Sequence, residues 1–165
     1  MLKILLAIDG SPHSLAAARQ VARHPWPAES EVRVITVDAP LGDSTLARES
    51  HGTPGSSAYE QLVRQQRLEA EQDLVMAENT VREQAPQLSV TSCLLEGTPK
   101  DVIVCEAREW GADLVVVGSQ GKGALRSVLL GSVSLGVVVN APCSVLVVRE
   151  AQGVTDVGTS ADAQA

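Results

Sequence analysis

Two stretches of this chain hold residues whose types and spacing suit chemistry on an anion. One is Gly118-Ser119-Gln120-Gly121-Lys122-Gly123, which follows the apolar run Leu114–Val117 at once. Glycines there let successive backbone N–H groups approach a negative ligand without side-chain clash, and a helix beyond the loop adds its positive N-terminal end. Phosphate is the natural ligand for such a loop, with Lys122 as a point charge. The other is Asp9, which closes the first apolar run of the chain and whose carboxylate can accept hydrogen bonds from ribose hydroxyls. Each residue also has a structural reading: the glycines as a tight strand-to-helix connection, Asp9 as a turn or capping residue, Lys122 as a solvated charge, Gly131-Ser132 as a close helix–sheet contact. The candidate groups meet on one rim of a sheet if the strands ending at Asp9 and at Val117 are neighbours.

Other phosphate motifs fail. A P-loop requires glycine five residues before the Gly-Lys pair and Ser or Thr after it, but position 116 is Val and position 123 is Gly. After the first strand the chain reads Asp9-Gly10-Ser11-Pro12-His13-Ser14, which carries neither the dinucleotide pattern GxGxxG nor the paired glycines of an ATP-pyrophosphatase loop. No GxSxG elbow is present, and no Cys–His or Ser–His pairing for nucleophilic catalysis is inferred.

The elements that must position these groups alternate. Leu2–Ile8 reads as a buried strand, and Ser11 caps a helix with Pro12 in its first turn, ending before Pro25. Val32–Val37 is a second strand. Residues 38–57 turn rich in Gly, Pro, Ser and Thr and read as a long flexible loop. A polar helix follows over 58–84, with Tyr59, Leu62, Val63, Leu74 and Val81 inward. Ser89–Leu95 is a third strand; Thr98, Pro99 and Asp101 then mark a helix start, with Gly111 closing that helix after Trp110. Leu114–Val117 is the fourth strand, 125–140 a helix, Ser144–Val148 the fifth strand, and 150–165 a small, polar, disordered tail. Four strand–helix units and a last strand imply a single-domain open parallel five-stranded α/β sheet with helices on both faces.

Composition limits the function. With no Phe and 2% aromatic residues, the 44% hydrophobic content rests on Val, Leu and Ala, as buried parallel strands require. A net charge of -7 without any basic run excludes a nucleic-acid partner of the usual electrostatic kind. The apolar run Ile4–Ile8 is too short for a signal sequence, and Val128–Val139, broken by serines, is too short for a membrane span. Cys93, Cys105 and Cys143 form no CxxC pair and read as buried thiols in a reducing cytoplasm. The three histidines show no metal-ligand spacing.

Gly118-Ser119-Gln120-Gly121, nine residues and then Gly131-Ser132 resembles, without a gap, the ATP-binding signature of the universal stress protein family. The opening Ile4–Asp9 with Gly10-Ser11, the segment Ala112–Gly118, and Ala141–Val148 are similar to that family too, so the resemblance covers residues 1–149. It implies a Rossmann-like sheet of order 3-2-1-4-5. It also implies that Ala7, Ile8 and Asp9 line the adenosine end of a site and that Val37 contacts adenine. Val117, Gly118 and Gly121, with Ser119, Lys122 and Gly123 in the same loop, approach ribose and phosphates, and Gly131, Ser132 and Val133 hold the phosphate tail. The resemblance further implies a homodimer through the last strand, Val145 to Val148. The expected function is a cytoplasmic regulatory protein of the stress response that binds ATP with Mg²⁺ and signals to a protein partner. A slow ATPase or phosphotransferase and a nucleotide-independent dimeric interaction module are the alternatives.

Overall fold

Along Lys3–Ile8 and Leu114–Gly118 the side chains alternate between two covered faces, with leucine, isoleucine or valine on both, whereas Thr91 and Ser92 of the outer run Ser89–Glu96 are exposed. A computed structural model of the chain describes residues 1–40, 57–122 and 130–150. The elements are β1 (Lys3–Ile8), α1 (Pro12–Arg23), β2 (Glu31–Asp38), α2 (Ser57–Gln84), β3 (Ser89–Glu96), α3 (Pro99–Trp110), β4 (Leu114–Gly118), α4 (Ser132–Asn140) and β5 (Ser144–Val148). All strand pairs are parallel, in the order β3-β2-β1-β4-β5. This is the Rossmann-like arrangement expected, and its direction of winding reverses between β1 and β4.

One face of the sheet carries Ile4, Leu6, Ile8, Val32, Val34 and Val116, packed under α1 (Ala17, Ala18, Val21) and α2 (Leu74, Ala77, Val81). The other carries Leu5, Ile35, Val115 and Val117 under Ile103 and Ala107 of α3 and Val137 of α4. Small residues on α1 let two helices share one face of a narrow sheet. Ser11 caps α1 by accepting the N–H of Ser14. At α3 the cap differs from expectation: the Thr98 side chain makes no bond, and its carbonyl instead takes the N–H groups of Asp101 and Val102. Gly111, in the left-handed conformation, ends that helix as expected.

Four expectations are corrected. Val63 is exposed, because the buried stripe of α2 runs through Ala70, Leu74, Ala77 and Val81. Cys105 is exposed on the outer side of α3, and Cys93 and Cys143 are only half-buried. Residues 38 and 57 are the last of β2 and the first of α2 rather than loop, while 41–56 lie outside the described residues. Among the described residues α4 begins at Ser132, since Gly131 holds extended φ −68° and ψ 158°. Residues 123–129, which hold Gly123 and the first part of the helix expected over 125–140, and residues 151–165 also lie outside the described residues.

Candidate functional site

Ala7 pairs with Ile35 of β2 on one side and Val117 of β4 on the other, so the chain leaves β1 and β4 side by side. Asp9 and the glycine loop therefore share the C-terminal rim at the reversal of strand order, the position where open α/β sheets bind ligands.

Both oxygens of Asp9 are engaged there. Oδ1 accepts the Ser11 N–H at 3.1 Å and the Ser11 hydroxyl at 2.6 Å, and Oδ2 accepts the backbone N–H of Lys122 at 3.2 Å. The Ser11 hydroxyl also lies 3.0 Å from the Gln120 carbonyl. These contacts stitch the turn after β1 to the loop after β4. A carboxylate has about four acceptor positions, so one on Oδ2 remains for a further donor.

The three glycines of the signature answer to different causes. A Cβ on Gly118 would stand 2.7 Å from Ser14 N and 2.8 Å from His13 C, so the close seat of α1 on β4 demands glycine. A Cβ on Gly121 would stand 2.6 Å from Asp9 Oδ2, so the stitch demands it too. At Gly131 the dihedrals suit any residue, and the nearest atoms to a Cβ are Gln120 Cα at 3.4 Å, Ser119 O at 3.5 Å and Gly121 N at 3.7 Å, which is ordinary contact. Among the described residues, packing does not require glycine there.

The helix that starts beside Gly131 lacks a side-chain cap. Gly131 is the N-cap of α4, and the N–H groups of Ser132, Val133 and Ser134 find no acceptor among the described residues. The Ser134 hydroxyl is occupied, donating to the Gly118 carbonyl at 2.6 Å, and Ser132 is exposed. The loop's frame is held by Gly131 N–H on Ser119 O and by Ser119 N–H on Val148 O, both at 2.7 Å. Unmet N–H groups at a positive helix end are an anion-binding arrangement.

Ala7, Val37, Val117 and Val133 all belong to the face covered by α3 and α4 and form the apolar side of the rim. Ile8 does not join them: its side chain is buried in the opposite core at 3% exposure, which leaves its backbone alone at the site. Asp73, absent from the sequence reading, does join the site. Its Oδ2 receives the Lys122 ammonium at 2.7 Å, and its carboxyl group lies over Gly10, whose φ of +74° and missing side chain make the room. Its local sequence does not single it out, since Glu69 and Glu71 border the same Ala70–Leu74–Ala77 stripe.

The model of the universal stress protein family matches residues 1–149 of this sequence. The chain belongs to that family. A universal stress protein of Methanocaldococcus jannaschii is 32% identical over 90% of this chain and 82% of its own length. One from Thermus aquaticus is 34% identical over 88% and 97%. Among solved structures, a universal stress family protein of Arabidopsis thaliana with AMP bound superposes at a TM-score of 0.66 with 19% identity, covering 92% of this chain and 93% of that one. A universal stress protein in complex with cAMP gives 0.60 and 22%, covering 91% and 98%. One from Archaeoglobus fulgidus with dAMP gives 0.56 and 21%, covering 90% and 98%. These structural likenesses establish the shared universal stress protein fold. Among the described residues no helix is long and apolar enough to cross a membrane.

Proposed function

We propose that this universal stress protein binds ATP, carried with Mg²⁺, at the rim formed by Asp9, the glycine loop and the start of α4, and that it acts as a cytoplasmic regulator of the stress response. The observation that carries the reading is Gly131: packing among the described residues does not need a glycine there, yet it caps a helix start whose first N–H groups are unmet and lies beside Gln120 and Gly121. Ala7, Val37 and Val117 would receive the adenosine, Asp9 a ribose hydroxyl, and Gly118, Gly121, Lys122, Gly131, Ser132 and Val133 the phosphates. The AMP, cAMP and dAMP carried by relatives of this fold support an adenine nucleotide. The cation at Lys122 and the hydroxyl at Ser132 favour a longer phosphate chain over a monophosphate.

A binding role fits better than catalysis. Asp9 holds three of its acceptor positions on Ser11 and Lys122, and the one that remains is assigned to a ribose hydroxyl, which leaves none for a general base. Output passes to a protein partner, and the protein dimerises through β5. Among the described residues β5 pairs only with β4, so its outer edge, Val145 to Val148, is open to a second copy. Sedimentation analysis tests the dimer, and a monomer at micromolar concentration would refute it.

Mapping of backbone amide shifts by NMR tests the site. Titration with Mg-ATP should move Asp9, Val37, Gly118–Lys122 and Gly131–Val133 together. Shifts confined to another surface would move the function elsewhere.

A further inference from the structure

Lys122 is held at both ends by carboxylates from two other elements. Its N–H donates to Asp9 Oδ2 at 3.2 Å after β1, and its Nζ to Asp73 Oδ2 at 2.7 Å on α2. The partners differ in freedom: the Asp73 side chain is 19% exposed, that of Lys122 51%. Asp73 is fixed from behind as well, since its carboxyl group fills the space that Gly10 leaves empty. No second cation pairs with Asp73 among the described residues. The carboxylate is therefore the stationary member of the pair and the ammonium the movable one.

We propose that Asp73 is a specificity-determining residue of the nucleotide site, one that sets how much the length of the phosphate chain counts in binding. The inference rests on the nucleotide-binding reading above. Lys122 follows Gly121, whose amide nitrogen lies 3.7 Å from where a Cβ on Gly131 would stand, so a flexible four-carbon stem can carry its ammonium to a phosphate bound beside that loop. While it is paired with Asp73 the two charges cancel, and a nucleotide must win the ammonium from a carboxylate. A pair this exposed is weak, so a triphosphate wins it more readily than a monophosphate. Asp73 thereby holds down the advantage of ATP over AMP, and it does so without touching the nucleotide.

The test compares the affinities of AMP and ATP, both with Mg²⁺, in the wild-type chain and in Asp73→Asn, which keeps shape and removes charge. The ratio of ATP to AMP affinity should rise by about threefold to fivefold in Asp73→Asn, the range expected for release of a half-exposed ion pair. In Lys122→Gln the ratio should fall, and Asp73→Asn added to Lys122→Gln should change it no further. A ratio that is unchanged or lower in Asp73→Asn overturns the proposal, as does a ratio unmoved by Lys122→Gln, a loop variant independent of how α2 packs. Failure of the wild-type chain to bind either nucleotide is a separate result, and it overturns the binding reading together with this one.

Discussion

Asp9 Oδ2 accepts the amide of Lys122 at 3.2 Å, so the turn after the first strand and the loop after the fourth, 113 residues apart, are closed on each other before any ligand arrives. The rim is thus ordered by the chain's own bonds. On the proposed reading, a nucleotide entering it would meet fixed donors instead of loose backbone, which would lower the ordering cost of binding.

The glycines can be separated by their causes. Gly118→Ala should destabilise the fold by about 1–3 kcal/mol, because its methyl group meets backbone atoms of α1 that cannot turn aside. Gly131→Ala should leave stability unchanged or raise it by about 0.4–1 kcal/mol, since the conformation suits alanine. Nucleotide affinity should nonetheless drop by about tenfold or more, near 1.4 kcal/mol, as the added methyl group enters the proposed phosphate site. Urea titrations and binding curves on the two variants check this opposition.

Thr36 near the end of β2 offers a stability test. Its Oγ1 is buried without a hydrogen-bond partner among the described residues. Thr36→Val keeps the shape and removes the unmet hydroxyl, so stability should rise by about 1 kcal/mol in a chemical denaturation curve. A loss of stability would show that the hydroxyl is bonded in solution.

Acid should weaken the contact between α2 and the edge strand β3. The Ser92 hydroxyl bonds to Glu78 and holds its carboxyl below the ordinary value, with Arg82 adding to the effect. A carboxylate depressed in the folded chain contributes stability above its unfolded value, and that contribution is lost as pH falls through the lower, folded one. Glu78→Gln should therefore show a shallower decline of stability than wild type below about pH 4.5. Thermal melts from pH 6 to about pH 3 compare the two slopes.

The thiols should be sluggish at neutral pH. Cys105 donates to Glu109 at 3.3 Å, and that bond, with the nearby negative charge, pushes its ionisation up, while burial does the same for Cys93 and Cys143. Alkylation at pH 7.5 should run slower than that of a small free thiol, and Glu109→Gln should speed Cys105 alone.

The fold was legible because its signals were local: valine-rich runs of strand length, a proline in the first turn of α1 and of α3, and Gly111 at a helix end. The glycine spacing likewise marked the rim. What stayed hidden depends on contacts distant in sequence. Ile8 sits in the motif yet turns its side chain into the core, because strand alternation places it with Ile4 and Leu6. Asp73 lies in a polar helix, and nothing local distinguishes it from Glu71 or Glu69 until Gly10 and Lys122 are brought against it. Val63 shows the reverse case, an apolar residue that the packing of α2 leaves outside.

Calorimetric titration of the nucleotide-stripped protein with Mg-ATP, with Mg-GTP in parallel, tests nucleotide binding most directly. Saturable heat with ATP and a weaker response to GTP is the expected result. No saturable heat with ATP at millimolar concentration would contradict it, leaving the glycine loop as a structural turn and the protein as a nucleotide-independent interaction module.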